Sequence, residues 1–536
     1  MHTTFTLMIE NAEGTSQTVV METDLPTAGP HFLDETEQAL LRVFHSLQLE
    51  TYRRQAEHMA RQFAETAQAQ YGGTLLRSPH PYRIDGEMGR ISLDTYVLQN
   101  EKRVVWTPEA DGFPTLGSRQ QHVTANFREL VLTLTDLMSF RNAAHLVRRV
   151  RQGGLDARTP VTTLAERVER EGAAVQTWID QKTVTTLAQH HFTPEGVPTP
   201  DTTVQPLADD QGRLPQSVID AAMAEYNAGK SDDQQIPVQA AHDFYEDPDR
   251  VINISIDDVS VKKQKVHRNS PVASAAKAAE PSESFQAETG SATEAPPPGK
   301  KDDPPVPKAP KEAEALKRVH HTIAHIQSTA GHDILRGRDT ETVLRILLAF
   351  LLVQDVLTTC RIQFFADGAR ALHKAIQQGF DWVPSLRTRL DWYHLEKKCG
   401  EYWSMALAGR EIRKEVLHTL TGYLWLGRVD DAISYLQHLS ADRIKRKKWL
   451  HQTIDYLERH REEIPCDALR QALGLRNSSN RGEKANDRCV ADRQKHKGMS
   501  RSADRSTRLT STTTLLRNHE LARWCTAGEL GWQWVA

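Results

Sequence analysis

Two apolar stretches of this sequence run into aspartate. In RIQFFADGARALHKAI (361–376), Ile362, Phe364 and Phe365 read as a buried β-strand that stops on Asp367-Gly368 and becomes a helix. In DRVINISIDDVSVKKQK, Ile252, Ile254 and Ile256 alternate as in a strand that reaches Asp257-Asp258 and continues through Val259 and Val261. Carboxylates at adjacent strand ends repel each other, so such a pair needs a compensating cation. Hard oxygen ligands of this kind suit Mg²⁺ or Mn²⁺. Two such ions about 3.5–4 Å apart activate a water and stabilise a leaving oxygen in phosphodiester cleavage. A strand ending in Asp-Gly is most often only a turn, so the reading needs a third acid.

NSSNRGEKANDRCVADRQKHKG supplies one, Glu483, in a basic setting: residues 476–510 hold ten Lys/Arg against four Asp/Glu. Arg481, Lys484, Arg488, Lys495 and Lys497 are candidates for neutralising DNA phosphates. Glu483 and Asp487 lie four apart, on one face if the segment is helical. The competing reading is a solvated charged helix.

The elements that must hold these residues follow from the rest of the chain. Its 536 residues suggest roughly three domains, and a net charge of −3 means that any basic DNA-binding surface is local. Five scattered cysteines form no CxxC pair, which disfavours a sequence-local zinc knuckle and fits a reducing compartment. No secretory pattern is visible, and the apolar run 346–353 is far too short for a bilayer and reads as a buried helix. The expectation is a cytoplasmic protein without membrane contact. No Walker motif, GxGxxG after a strand or GxSxG is present, which disfavours a common metabolic enzyme.

Residues 1–120 read as a hairpin and helix region: alternation over 1–25, an amphipathic helix over 34–68, short extended pieces over 72–108. Residues 121–240 read as helical. There SFRNAAHLVRRV, QGGLDARTP and VTTLAERVERE give a candidate helix-turn-helix, with Thr159-Pro160 as cap and first turn of its second helix; two core helices are the plainer alternative. Residues 264–316, rich in Ala, Pro, Ser and Glu, read as a disordered loop. RVHHTIAHIQS and HDILRG read as strands, and DTETVLRILLAFLLVQD as a helix starting near Asp339 or Thr340. LRTRLDWYHL reads as one more strand ending at Asp391 and His394, and 396–469 as a helical insertion. The order predicts a mixed α/β sheet formed by 245–395 and 470–525.

ISIDDVSVKKQK, FFADGAR, LDWYHLEK and NRGEKAND, in this order, together resemble DDE transposases of bacterial insertion sequences, of the Mutator-like kind. The resemblance spans roughly residues 120–525. It implies a ribonuclease-H-like catalytic domain with its first Asp on the first strand (Asp257), its second at the end of the fourth (Asp367) and its Glu on a helix after a helical insertion (Glu483). DWYH resembles an Asp/Cys-x-x-His signature, which would put Asp391 and His394 near the site. The family chemistry uses Mg²⁺ or Mn²⁺ to cut a phosphodiester at the element end and join the freed 3′ hydroxyl to target DNA. The partners it implies are terminal inverted repeats, target DNA and further copies of the chain.

Three features depart from the family pattern. Asp258 stands where glycine is usual. Residues 72–108 lack the paired cysteines of an N-terminal metal knuckle, and Arg501 and Arg505 stand where a tryptophan and a glycine are expected. The alternatives are a catalytically impaired relic that only binds DNA, and a structure-selective nuclease on the same fold.

Overall fold

The computed structural model describes residues 1–10, 16–78, 81–108, 121–151, 159–264, 318–495 and 501–535. It is a mixed α/β structure of two compact units, Met1–Trp178 with Ser511–Trp532, and Ile179–Thr510 with Gln533–Ala536. These divisions fall inside the expected 121–240 and 470–525 segments rather than at their ends.

In the first unit β1 (His2–Glu10) and β2 (Ser16–Asp24) pair antiparallel, with Leu7 opposite Val19. Phe5, Leu7, Ile9, Val19 and Met21 cover Val43 and Leu47 of α1 (Phe32–Tyr71), as the alternation predicts. β3 (Thr74–Arg77), β4 (Tyr82–Gly86), β5 (Gly89–Leu93), β6 (Tyr96–Asn100), β7 (Arg103–Trp106) and β8 (Gln121–Val123) form two three-stranded sheets, β3-β6-β7 and β5-β4-β8. α2 (Ala125–Leu137) and α3 (Phe140–Val150) are capped by Thr124 and Ser139, whose hydroxyls accept from Phe127 N and Asn142 N.

The second member of the expected helix-turn-helix is not short: α4 (Val161–Gln189) runs for 29 residues, straight through Gly172. The turn between α3 and α4 falls at 152–158, outside the described residues. Arg151, beyond α3, is fully buried, with its Nη2 2.5 Å from Asp85 Oδ1 and its guanidinium 3.8 Å from the centre of the Phe127 ring. Arg167 of α4 approaches the same carboxylate at 3.4 Å. Both helices are thus tied to β4 through a core ion cluster, which is what core helices do.

In the second unit the chain is irregular from 190 to 215, where Pro194, Pro198, Pro200 and Pro206 interrupt helix, contrary to the expectation of helix throughout 121–240. α5 (Gln216–Asn227) follows. A five-stranded sheet then forms from β9 (Val251–Lys262), β10 (Arg318–Ser328), β11 (Gly331–Gly337), β12 (Arg361–Ala366) and β13 (Arg387–Leu390), in the order β11-β10-β9-β12-β13. β9, β10 and β11 are antiparallel, and β12 is parallel to both β9 and β13. β12 is buried at every residue, as a central parallel strand must be. α6 (Thr340–Val353) buries nine apolar side chains, and its cap Asp339 accepts from Thr342 N at 2.8 Å. α7 (Arg370–Phe380) follows β12. The segment expected as the loop 264–316 lies outside the described residues, except for Gln264.

LRTRLDWYHL is not one strand. β13 stops at Leu390, and Asp391 caps α8 (Trp392–Ala406), accepting from His394 N at 3.0 Å. α9 (Arg410–Trp425), α10 (Val429–Gln437) and α11 (Lys447–Arg459) complete the insertion around Trp403, Leu420, Leu436 and Leu457. α12 (Asp467–Ala472) leads to α13 (Asn480–Asn486), a π-helical turn (Asp487–Ala491), α14 (Asp492–Gln494), α15 (Ala503–Arg517) and α16 (Leu521–Ala527). No described helix is long and apolar enough to cross a membrane.

Candidate active site

The parallel pairing of β9 with β12 sets Phe365 opposite Ser255. Two residues further on each strand come Asp367 and Asp257, about one strand spacing apart by register. Asp257 is not at a strand end: β9 continues to Lys262, but beyond Ser255 it pairs only with β10. The aspartate sits where β9 loses its neighbour on one side, and that opens room above it. Burial raises the Asp257 carboxyl above the usual carboxylate range. The negative charge of Asp367 adds to the rise, while Asn486 and the Asp258 N–H work against it.

Alternation separates the two candidate aspartates of β9. Asp257 accepts from Asn486 Nδ2 at 2.6 Å and from Asp258 N at 2.8 Å, whereas the exposed Asp258 accepts from Thr322 Oγ1 at 2.5 Å. Asp257 is therefore the one on the side of Asp367. Asp367 Oδ1 accepts from Ala369 N at 2.9 Å, and Gly368 between them has φ +78°. A Cβ on Gly368 would lie 2.9 Å from Tyr456 Oη and 3.1 Å from Leu390 Cδ1. This glycine both permits the left-handed backbone and admits the tyrosine.

Glu483 arrives on α13. A Cβ on Gly482 would come within 2.7 Å of Ser255 Cβ, so only glycine lets this helix lie so close to β9. Ala485, Cys489 and Val490 anchor the same stretch on Val259, Val261, Ile323 and Ile334. One turn after Glu483, Asn486 reaches Asp257. Glu483 Oε1 lies 3.3 Å from His394 Nε2, and the other ring nitrogen, Nδ1, is 2.8 Å from Asp391 Oδ2. Asp391 also accepts from Ser479 N at 2.5 Å, joining the start of α8 to the start of α13. The hydrogen bond to Asp391 holds the His394 pKa above its ordinary value against burial, aided by the charges of Asp391, Glu483 and Asp367. Burial opposes ionisation of Asp391, yet His394 and the N–H groups of Ser479 and His394 hold its pKa below the usual range.

Arg481, Lys484 and Arg488 are exposed along one side of α13 and the π-helical turn, and Lys495 is exposed beyond them. Lys497 lies outside the described residues. Asp487 donates its N–H to the Glu483 carbonyl, one turn on, and is exposed. Arg501 lies beside the end of β9, its N–H to Lys262 O at 3.3 Å and its carbonyl accepting from Gln264 N at 2.9 Å. Arg505 is exposed on α15.

Asp257, Asp367 and Glu483 offer the hard oxygen donors that Mg²⁺ or Mn²⁺ takes. They do not draw together into a set with all ligand atoms within 4.8 Å; among the described residues the one trio that does is His373, His460 and Glu463. A wider spread suits a pair of ions about 3.5–4 Å apart, which carboxylates must flank rather than enclose. Sequence reading missed Asn486, whose signal was its three-residue offset from Glu483 on one helix face. It also missed Tyr456 and the His373 trio, which no local spacing announces.

No family model matches the chain, and neither a curated protein nor a solved structure does.

Proposed function

We propose that this chain is a DDE transposase of the Mutator-like kind. On this reading the second unit carries a ribonuclease-H-like domain that cuts DNA at insertion-sequence ends and joins them to target DNA. The observation that carries the reading is the placing of three chain-distant acids around the point where β9 and β12 part. Asp257 lies on the first strand of the sheet, Asp367 follows its fourth, and Glu483 stands on a helix that Gly482 seats against β9.

Asp257, Asp367 and Glu483 would hold the Mg²⁺ or Mn²⁺ ions, which when bound supply water activation and charge neutralisation at phosphorus. The remaining work belongs to the protein. Asn486 fixes the Asp257 carboxylate, and His394, held by Asp391, sets its Nε2 against Glu483 Oε1. Arg481, Lys484 and Arg488 present positive charge beside the acids, where DNA phosphates would lie. The partners on this reading are terminal inverted repeats, target DNA and further copies of the chain, acting in the cytoplasm at the nucleoid.

The test is Mg²⁺-dependent nicking of DNA carrying the inverted repeats that flank the coding region, followed by strand transfer from precut ends. Asp367→Asn is expected to abolish cutting while sparing DNA affinity. Nicking by that variant near the unsubstituted rate would sink the reading. Binding without cutting by the unsubstituted chain would leave a DNA-binding relic, and cutting without joining a nuclease.

A further inference from the structure

We propose that His373, His460 and Glu463 form a second metal site, selective for Zn²⁺ or a similar transition ion, that pins the helical insertion to the segment following Asp367.

The three residues come from separate places. His373 lies in the first turn of α7, His460 follows α11, and Glu463 ends the short 3₁₀ turn Arg461–Glu463. One ligand atom from each falls within 4.8 Å of the other two. Each ring faces one oxygen of the carboxylate at hydrogen-bonding distance: His373 Nδ1 to Glu463 Oε1 is 3.1 Å and His460 Nδ1 to Glu463 Oε2 is 2.7 Å. Zinc–nitrogen and zinc–oxygen bonds of about 2.0–2.2 Å in a tetrahedron place neighbouring ligand atoms about 3.3 Å apart. A small outward relaxation of the two rings therefore admits the ion. Two imidazoles and one carboxylate are a donor set for Zn²⁺, whereas Mg²⁺ prefers oxygen. The site has nothing in common with the all-carboxylate set at Asp257 and Asp367.

A second observation concerns charge and tautomer. His460 is 4% exposed, and the Nε2 atoms of both histidines are buried without a hydrogen-bond partner. Each ring is free to move its proton from Nδ1 to Nε2 and turn the Nδ1 lone pair on an ion. Glu463 has only these two rings as ionic partners among the described residues, while its neighbour Arg461 is engaged with Asp430 at 2.9 Å. The Glu463 carboxylate faces a ring nitrogen of both histidines, one with each oxygen. The three protein ligands leave the fourth position to water, toward the partly exposed side of Glu463.

The position gives the ion a task. The Tyr456 ring lies 4.7 Å from the His460 ring, and Tyr456 Oη abuts Gly368 beside Asp367. An ion joining α7 to the end of α11 would hold Tyr456, and through it the Asp367 turn, in one place.

The experiment uses the full chain and Co²⁺ as the probe, with Zn²⁺ content measured by mass spectrometry. The expected result is one equivalent of Co²⁺ with the visible absorption of a tetrahedral site, displaced by Zn²⁺ and not by excess Mg²⁺. That absorption should persist in an Asp257→Asn/Asp367→Asn protein, which empties the carboxylate site. It should weaken at least tenfold in affinity in His373→Ala and in Glu463→Gln. Glu463→Gln preserves size, so loss of signal there in a protein of native circular dichroism is not misfolding. Absence of tetrahedral absorption, its survival in both His373→Ala and Glu463→Gln, or its loss in the Asp257/Asp367 variant would each overturn the proposal. None of these readings depends on DNA cleavage, so the site stands or falls apart from the transposase reading.

Discussion

Gly482 rests on Ser255 with no room for a side chain: a Cβ added to it would stand 2.7 Å from the serine Cβ. Two methyl-sized groups cannot occupy that gap, so Gly482→Ala must lift α13 off β9 or bend one of them. Overpacking of this kind costs about 1–3 kcal/mol. The displacement also carries Glu483 away from Asp257, so metal-dependent cutting should fall further than stability alone explains. Adding Ser255→Gly removes the opposing carbon and should restore both chemical-denaturation midpoint and cutting. A double variant no better than Gly482→Ala would show that the close approach is not what seats Glu483.

His394 and Asp391 give a pH signature. The His394 pKa is raised above 6.5, foremost by the Asp391 hydrogen bond. The stabilisation it contributes is whole below 6.5 and is lost as pH rises through the raised value. Chemical denaturation of metal-free protein should show His394→Gln less stable than the unsubstituted chain in mildly acidic buffer. The gap should narrow in alkaline buffer; a gap that widens with pH would contradict the pairing.

Glu246 forms a two-pronged ion pair with Arg470, at 2.5 and 2.8 Å, and Arg389 joins at 3.3 Å. Both Glu246 and Arg470 are buried. Glu246→Gln leaves two buried arginines undercompensated and should destabilise by about 3–5 kcal/mol in urea denaturation. Burial pushes the Glu246 pKa up, but the two arginines prevail and hold it at about 2. Its contribution is whole above the ordinary 4.5 and drains as pH falls toward about 2. The variant should therefore lose its disadvantage in strong acid.

Lys484 and Arg488 are exposed one turn apart. If each meets a DNA phosphate, replacing one by alanine should lower the slope of log affinity against log salt by about 0.9, without changing preference among sequences. Fluorescence anisotropy across a salt series reads this directly. An unchanged slope in both variants would place the DNA elsewhere.

The sheet was legible because its strands announce themselves. RVHHTIAHIQS is β10 residue for residue, and the apolar run before Asp367 is β12. Asp391 was misplaced because Trp392 and Tyr393 continue a strand-like pattern after Leu390. What ends the strand is a cap, Asp391 accepting from His394 N, and no Glu or Gln stands three residues on to signal it. The second helix of the candidate helix-turn-helix runs on as the 29-residue α4, in which the packing of Leu164, Val168 and Val175 outweighs the one glycine, Gly172. Asn486 and Gly482 act through tertiary approach to β9, and spacing along a chain does not reveal which helix lies on which strand.

Lys262 and Arg318 are direct partners on neighbouring antiparallel strands, although 55 residues separate them in sequence. The chain therefore leaves the sheet and re-enters it at nearly the same point. New termini could be opened there, or a reporter protein grafted in, with the ladder on both sides left whole. That makes this junction a practical handle for labelling the protein.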